Sequence, residues 1–340
     1  MQSAAFEYDL PDSAIAQHPA EPRDSSRLLI DGDPVVHGHT RDFWRLVGPG
    51  DVIVVNDTKV LPARLHLAKP TGGAVEVLVL EPTNEGWWEA LVRPSRRVPV
   101  GVELVDHRGL VVMKVGEPTG EGTRLVRPIG NPMEQILDQL GVVPLPPYIT
   151  APLDEPDRYQ TVYADRPSSV AAPTAGLHLT PEVLERCQEA GAAVHAVELS
   201  VGVGTFRPLE TDRLDDHAMH SERYRVRPET WDACRDARRV VAVGTTVVRT
   251  LESVAVSGEL EGRTDLFIRP PYSFRVVDAL LTNFHLPRST LLVMIEALIG
   301  PRWRDLYAGA LGEGYRFLSF GDAMFLERSD LRNGDPKTAT

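Results

Sequence analysis

Residues 63–128 read ARLHLAK (63–69), AVEVLVLE (74–81), WWEALVRP (87–94), VELV (102–105), LVVMKVG (110–116) and TRLVRP (123–128), with turn residues between the runs. Six short segments rich in Val and Leu, without a helical period between them, predict six strands of a small β-barrel or sandwich. Asp106-His107-Arg108-Gly109 reads as a hairpin turn within the set.

Outward from this stretch the pattern changes. Ahead of it, a loop and short helix lead to GPGDVIVVND (48–57), where Val52 to Val55 form an unbroken apolar run after a Gly-Pro-Gly turn, as in a fully buried strand. Behind it come a helix, MEQILDQLG (133–141), and VPLPPYI (143–149), too rich in proline for a regular element and read as a return linker. Thr180 then caps a helix that has Pro181 at its first position and closes at Gly191, and AVHAVELSVG (193–202) follows as a strand. A second unit runs the other way: Arg239 to Val243 as the strand, Thr245 or Thr246 as the cap, TVVRTLESV (246–254) as the helix. Alternating strands and helices imply a mixed or parallel sheet covered on both faces, an α/β architecture. The all-β stretch inside it suggests an insertion; a tandem arrangement, with the Val52 strand belonging to the barrel, is the alternative. The tail RNGDPKTAT (332–340) reads as disordered.

A chain of 340 residues fits about two domains at ~150 residues each. Its net charge of −12 excludes coating nucleic acid through bulk positive charge, though not a nucleic-acid substrate. Positive charge is local. Residues 58–73 carry Lys59, Arg64 and Lys69 and no acid; residues 90–130 carry Arg93, Arg96, Arg97, Arg108, Lys114, Arg124 and Arg127 against four acids. These stretches suit phosphate contacts or a solvated face. Cys187 and Cys234 are the only cysteines and lack a C-x-x-C spacing, which argues against a disulfide framework and fits a reducing compartment. The N-terminus has neither the basic start nor the apolar run of a signal peptide, and no apolar stretch approaches ~18 residues, so the expectation is a cytoplasmic protein without a membrane partner.

In an open α/β sheet, ligands bind beyond the carboxyl ends of the strands, where helix N-termini offer free N–H groups. Two such ends are legible: LSVGVGTFRP (199–208), with Gly202, Gly204, Thr205 and Arg207, and AVGTTVVR (242–249), with Gly244, Thr245 and Thr246. Neither is a full dinucleotide or phosphate-loop fingerprint. For proton transfer near neutral pH, His178, His217, His220 with Glu222, and His285 are the candidates. The i, i+3 spacing of His217 and His220 is not that of a helical zinc pair, so no metal is expected.

The order of the motifs resembles the S-adenosylmethionine:tRNA ribosyltransferase-isomerase family of queuosine biosynthesis. The segments that carry the resemblance span nearly the whole chain: HPAEPRDSSRLL (18–29), VVNDTKVLPARL (54–65), TGGAVEVL (71–78), WEALVRPSRR (88–97), PLPPYI (144–149), RYQTVYA (158–164), SVAAPTAGLHLT (169–180), VGVGTFRPL (201–209), HAMHSERY (217–224), VVAVGTTVVRTLES (240–253), VVDALLTNFHLPRSTLL (276–292) and YRFLSFGDAM (315–324). The resemblance implies transfer and isomerisation of the ribosyl part of S-adenosylmethionine onto 7-aminomethyl-7-deazaguanine at the wobble position of tRNA, giving epoxyqueuosine with release of adenine and methionine. It implies a mixed-sheet α/β domain formed by residues 1–62 and 150–340, with a β-barrel inserted at 63–149, which favours insertion over tandem. S-adenosylmethionine is then a co-substrate, no prosthetic group is expected, tRNA is the partner and the chain is taken as a monomer.

On that footing His178 and His285 are the first choices for base and acid, with His217, His220 and Glu222 behind them. Gly202, Gly204, Thr205, Gly244, Thr245 and Thr246 are expected to line the S-adenosylmethionine pocket, with Asp57 and Asp278 as weaker candidates; Lys59, Arg64, Lys69, Arg93, Arg96 and Arg97 are expected on tRNA. Two departures stand out: Ser200 replaces a His found in many members, and Arg269-Pro270-Pro271-Tyr272 replaces a Pro-Gly-Tyr turn. They leave open a paralogue with another acceptor. A tRNA-binding protein without catalysis and a methyltransferase are the readings from other classes.

Overall fold

Val52 to Val55 are buried on both sides, within a strand in which all six residues from Asp51 to Asn56 are inaccessible. A strand buried at every position must be covered on both faces of its sheet, and the computed structural model has that arrangement. The structure describes residues 1–332 apart from 121, 203–208 and 210. The tail beyond 332 therefore lies outside the described residues, as do Gly204, Thr205 and Arg207.

In chain order the strands are β1 (Arg27–Ile30), β2 (Val36–His39), β3 (Asp51–Asn56), β4 (Thr58–Val60), β5 (Arg64–Ala68), β6 (Ala74–Pro82), β7 (Trp88–Arg93), β8 (Glu103–Val105), β9 (Val111–Gly120), β10 (Thr123–Pro128), β11 (Gly141–Val142), β12 (Arg166–Ser169), β13 (Ala193–Leu199), β14 (Glu222–Val226), β15 (Arg239–Val243), β16 (Glu261–Thr264), β17 (Ala279–Asn283) and β18 (Ala323–Glu327). The helices are α1 (Met133–Leu140), α2 (Pro181–Glu189), α3 (Pro228–Asp236), α4 (Thr245–Ser257), α5 (Thr290–Ile299), α6 (Trp303–Gly312) and α7 (Ser329–Arg332).

Two compact units result. The first comprises Met1–Thr58, Pro147–Arg166 and Ala172–Thr340; the second comprises Lys59–Pro146 with Pro167–Ala171. The second unit begins four residues before the expected 63 and ends at 146 rather than 149, and it takes back a short later segment as well.

The first unit is built on a nine-stranded mixed sheet in the order β16-β14-β13-β3-β15-β17-β18-β1-β2. Its centre, β13-β3-β15-β17, is parallel, which sets four strand ends side by side. Ile53, Val55, Val241, Val243 and Leu281 pack in one core with Val183 and Cys187 of α2. Alternate positions of the same strands face the other side, where α4 crosses β13, β3 and β15. The edge strands β1 and β2 are additions to the sequence reading, which expected only a loop and short helix there; four-residue runs such as RLLI carry too little period to register.

The second unit is a closed barrel of six antiparallel strands, β5-β6-β7-β10-β9-β8, completed where Ala68 of β5 meets Val105 of β8. Each of the six expected runs supplies one strand. The Asp106–Gly109 hairpin forms because the Asp106 carboxylate accepts from the N–H groups of Arg108 and Leu110 while Gly109 takes φ +82°. Met133, Ile136 and Leu137 lie on one face of α1 and join the barrel core.

Candidate active site

The four parallel central strands end at Leu199, Asn56, Val243 and Asn283, all at one edge of the sheet. Beyond β15 the chain turns at Gly244, whose φ of +94° is open to glycine without strain. This corrects the expected cap. Helix α4 begins at Thr245 itself, Gly244 occupies the N-cap position, and it has no side chain to bond the first amides. The opening turn of α4 therefore keeps N–H groups and the positive end of the helix dipole for another partner.

Two cavities meet at that turn, sharing Thr245, Thr246 and Leu291. The first encloses about 610 Å³ with its mouth included; Thr174, Thr282, Asn283, His285, Ser289 and Ser319 are among its lining residues. His285 is buried, and its Nε2 stands 3.1 Å from the Thr282 hydroxyl. The His285 N–H donates to the Tyr307 hydroxyl oxygen at 3.0 Å, and the Tyr8 hydroxyl donates to the His285 carbonyl. Backbone bonds on both sides fix the residue. Burial pushes its imidazole pKa down to about 3, so the ring is neutral at pH 7.

His178 does not line this cavity. The Asn283 amide oxygen accepts from Thr174 Oγ1 at 2.9 Å, which turns the amide nitrogen to donate to His178 Nε2 at 3.0 Å. Burial, assisted by the Arg316 and Arg23 guanidiniums, holds the His178 pKa down to about 4. His178 bonds Asn283 behind the cavity wall, whereas His285, the other residue of the expected base-and-acid pair, lines the cavity.

The second cavity, about 550 Å³ with its mouth, is lined by Leu199, Met219, Leu266, Phe267, Ile268 and Met294 around His217, His220, Glu222 and Arg249. His217 stands edge-on to Phe267, with ring centroids 5.5 Å apart. Glu222 and Arg249 form a buried ion pair. The other Glu222 oxygen accepts from the Gly202 N–H at 2.9 Å, and Arg249 Nη2 donates to the carbonyls of His220 and Thr264, both at 2.8 Å. Glu222 is thus committed to holding Gly202 and Arg249, which explains the HAMHSE motif structurally: it ties the start of β14 to α4 and to the turn after β13.

Comparison with known proteins gives a consistent result. Residues 3–326 match the model of the family described as "Queuosine biosynthesis protein". The chain is 52% identical to the S-adenosylmethionine:tRNA ribosyltransferase-isomerase of Rubrobacter xylanophilus over 96% of its length and 98% of the relative's, and 49% identical to that of Thermus thermophilus over 95% and 98%. The crystal structure of S-adenosylmethionine tRNA ribosyltransferase from Thermotoga maritima matches it with a TM-score of 0.54 at 36% identity, covering 94% of this chain and 99% of that one. The chain belongs to the queuosine biosynthesis protein family.

Within this family member, the remaining expected residues divide sharply. Asp57 follows β3 at the same sheet edge, yet lines neither cavity; burial and Glu198 raise its pKa, against Arg166 and Arg227. Asp278 is at the opposite edge, ahead of β17, where it accepts from the Val240 N–H at 2.9 Å and faces Arg328. That position removes it from the site. Ser200 bonds the Arg223 carbonyl through its backbone and lines neither cavity.

The expected phosphate-contact residues also separate. Lys69, Arg93, Arg96 and Arg97 gather at one end of the barrel: Lys69 follows the end of β5 and donates to the Arg97 carbonyl, and Arg93 pairs with Glu76 near the start of β6. Lys59 is exposed, but Arg64 begins β5 and binds the Leu145 carbonyl and Glu76. Arg124 is buried in the barrel, donating to the carbonyls of Ser95, Val98 and Gly116, so it adds nothing to the outer charge.

Sequence reasoning did not single out Thr174, Asn283 or Arg249 as site residues. Arg249 had a legible signal: it falls three and four positions after Thr246 and Thr245, on one helix face.

Proposed function

We propose that the chain transfers and isomerises the ribosyl part of S-adenosylmethionine onto 7-aminomethyl-7-deazaguanine at the wobble position of tRNA, giving epoxyqueuosine and releasing adenine and methionine, in the cytoplasm. The observation that carries the reading is the neutral, backbone-fixed His285 in the wall of a cavity at the strand ends, beside the uncapped start of α4. The names of the relatives supply the substrate class.

The chemistry asks for a proton acceptor held close to a cation. A sulfonium acidifies its neighbouring 5′ C–H; when the proton leaves, the bonding pair stays on carbon as an ylide, whose collapse opens the sugar and expels adenine. His285 takes that proton in our reading and returns it to the departing base, the imidazolium existing only in transit. A ring neutral at pH 7 keeps its lone pair available, and a closed wall limits competing proton exchange with water. Thr174 and Asn283, oriented by His178, serve as hydrogen-bonding groups toward the ribosyl oxygens. Gly244, Thr245 and Thr246 approach the amino-acid part, and Gly202 is held by Glu222 at the neighbouring turn. The attacking aminomethyl nitrogen must be neutral, so turnover rises with pH until that amine is deprotonated.

On the barrel, Lys69, Arg93, Arg96 and Arg97 are assigned to tRNA phosphates, with Lys59 as an outlying contact. The net charge of −12 over the whole chain limits nonspecific adhesion and favours release after modification. The test is incubation with S-adenosylmethionine and tRNA bearing the aminomethyl-deazaguanine, followed by nucleoside mass spectrometry and chromatography of the small products. Epoxyqueuosine with adenine and methionine is expected. S-adenosylhomocysteine instead would make the chain a methyltransferase, and an unmodified nucleoside under conditions of co-substrate and tRNA binding would overturn the reading.

A further inference from the structure

The second cavity is lined by residues with polar atoms that form no hydrogen bond among the described residues. Arg249 is 6% exposed and lines the cavity, and among the described residues its Nε–H has no hydrogen-bond partner, although Nη1 and Nη2 are engaged by Glu222 and two carbonyls. Thr246 Oγ1, also on the lining, is likewise buried and unpartnered. Both lie in the first two turns of α4, the helix whose opening amides have no capping side chain. Leaving such groups unmet costs on the order of 1–3 kcal/mol each, so an unspent set converging on one cavity marks a ligand's place.

The unspent groups include an N–H, a hydroxyl and the helix-end amides, a set that matches an anion with several lone pairs. Arg64, Arg124 and Arg239 also carry an unpartnered Nε, but none lines either cavity at the sheet edge. Glu222 neutralises the Arg249 charge, so recognition rests on directed N–H and O–H groups and the helix dipole rather than on a bare cation. Around them Met219, Leu291 and Met294 offer soft apolar surface suited to a short thioether chain.

We propose that this cavity is the amino-acid subsite for S-adenosylmethionine, in which Arg249 Nε, Thr246 and the first amides of α4 bind the α-carboxylate of the methionyl part. The assignment rests on the proposed function above and makes Arg249 a specificity-determining residue. It has a further consequence: methionine, once released, occupies the same subsite and competes with fresh co-substrate.

Calorimetric binding to the full-length protein tests this, using S-adenosylmethionine, its decarboxylated analogue and free methionine. The wild type should bind S-adenosylmethionine at least about tenfold more tightly than the decarboxylated analogue, as expected for losing charge-assisted hydrogen bonds. Arg249→Lys keeps a cation against Glu222 and so protects the fold, while Thr246→Val keeps the side-chain shape. Each should weaken S-adenosylmethionine by roughly five- to tenfold and leave the analogue within about twofold. Methionine should compete with S-adenosylmethionine. Equal affinity of the wild type for both compounds, or equal weakening of both by the variants, overturns the subsite alone. Failure to bind S-adenosylmethionine at all overturns the subsite together with the function it rests on.

Discussion

The two edges of the central sheet use the same kinds of side chain to opposite ends. Where the parallel strands begin, Asp51 accepts from Arg238 at 2.6 Å, from Arg239 at 2.7 Å and from the Gly48 N–H, and Asp278 faces Arg328 while bonding the Val240 N–H. The Asp51 carboxylate has both oxygens spent on the fold. Where the same strands finish, Thr246 and Arg249 keep unmet donors against a cavity, and His178 and His285 are buried as neutral rings. The two edges differ in their surroundings: the beginning edge is closed by ion pairs, whereas the finishing edge lines two cavities.

The largest expected effect is acid lability confined to the finishing edge. Below pH 6.5 an unfolded histidine binds a proton, whereas native His178 and His285 stay neutral until about pH 4 and about pH 3. The native state then holds fewer protons, so stability falls as pH drops through that window and levels off below it. At ~1.4 kcal/mol per unit of depression, the two sites together cost several kcal/mol by pH 4. Urea denaturation between pH 7 and pH 4 should show this slope, and a His178→Asn, His285→Gln double variant should flatten it. An unchanged slope would break the contrast between the edges.

Next comes catalysis. Replacing His285 with Gln should lower adenine release by roughly 10²–10⁴-fold while S-adenosylmethionine still binds, because a proton-transfer group has been lost without opening the cavity. His178→Asn should act through Asn283, raising KM for S-adenosylmethionine more than it lowers kcat. The beginning edge should respond in the other currency: Asp51→Ala removes the partner of Arg239 and should cost about 3 kcal/mol of stability by chemical denaturation, with unaltered co-substrate affinity in the folded protein. A changed affinity would show that the edges are coupled. The smallest effect is at Gly244, where Ala must adopt φ +94° and should cost about 1 kcal/mol. There is room for the new methyl, whose nearest atoms are at 3.5 and 3.7 Å, so the loss measures backbone strain alone.

Much of the fold was legible because period and turn chemistry are local. The six barrel runs alternate strongly enough to be counted, Thr180 caps α2 by accepting from the Val183 N–H, and Gly191 ends it at φ +96°. The edge strands β1 and β2 escaped notice because neighbours elsewhere in the chain, Ala323–Phe325 among them, create their pairing. Of the motifs the sequence singled out, the structure brings some members to the two cavities and leaves others away from them. The Thr245-Thr246 pair looked like a cap, yet the glycine before it takes that place. His178 and Asp278 looked equivalent to His285 and Asp57 as polar residues in good company, and nothing local distinguishes a ring behind the wall from one within it.

The sequence by itself determined the family, the six-stranded insertion within an α/β chain, and the strand ends at which a ligand site belongs, since these follow from composition, period and motif order. Tertiary structure alone decided which polar groups remain available. Asn283 turns toward His178 because Thr174, more than a hundred residues earlier, fixes its amide, and Glu222 consumes part of Arg249 while leaving Nε to the cavity. Hydrogen-bond satisfaction depends on partners brought together by folding, and so it is written in no single stretch of the chain.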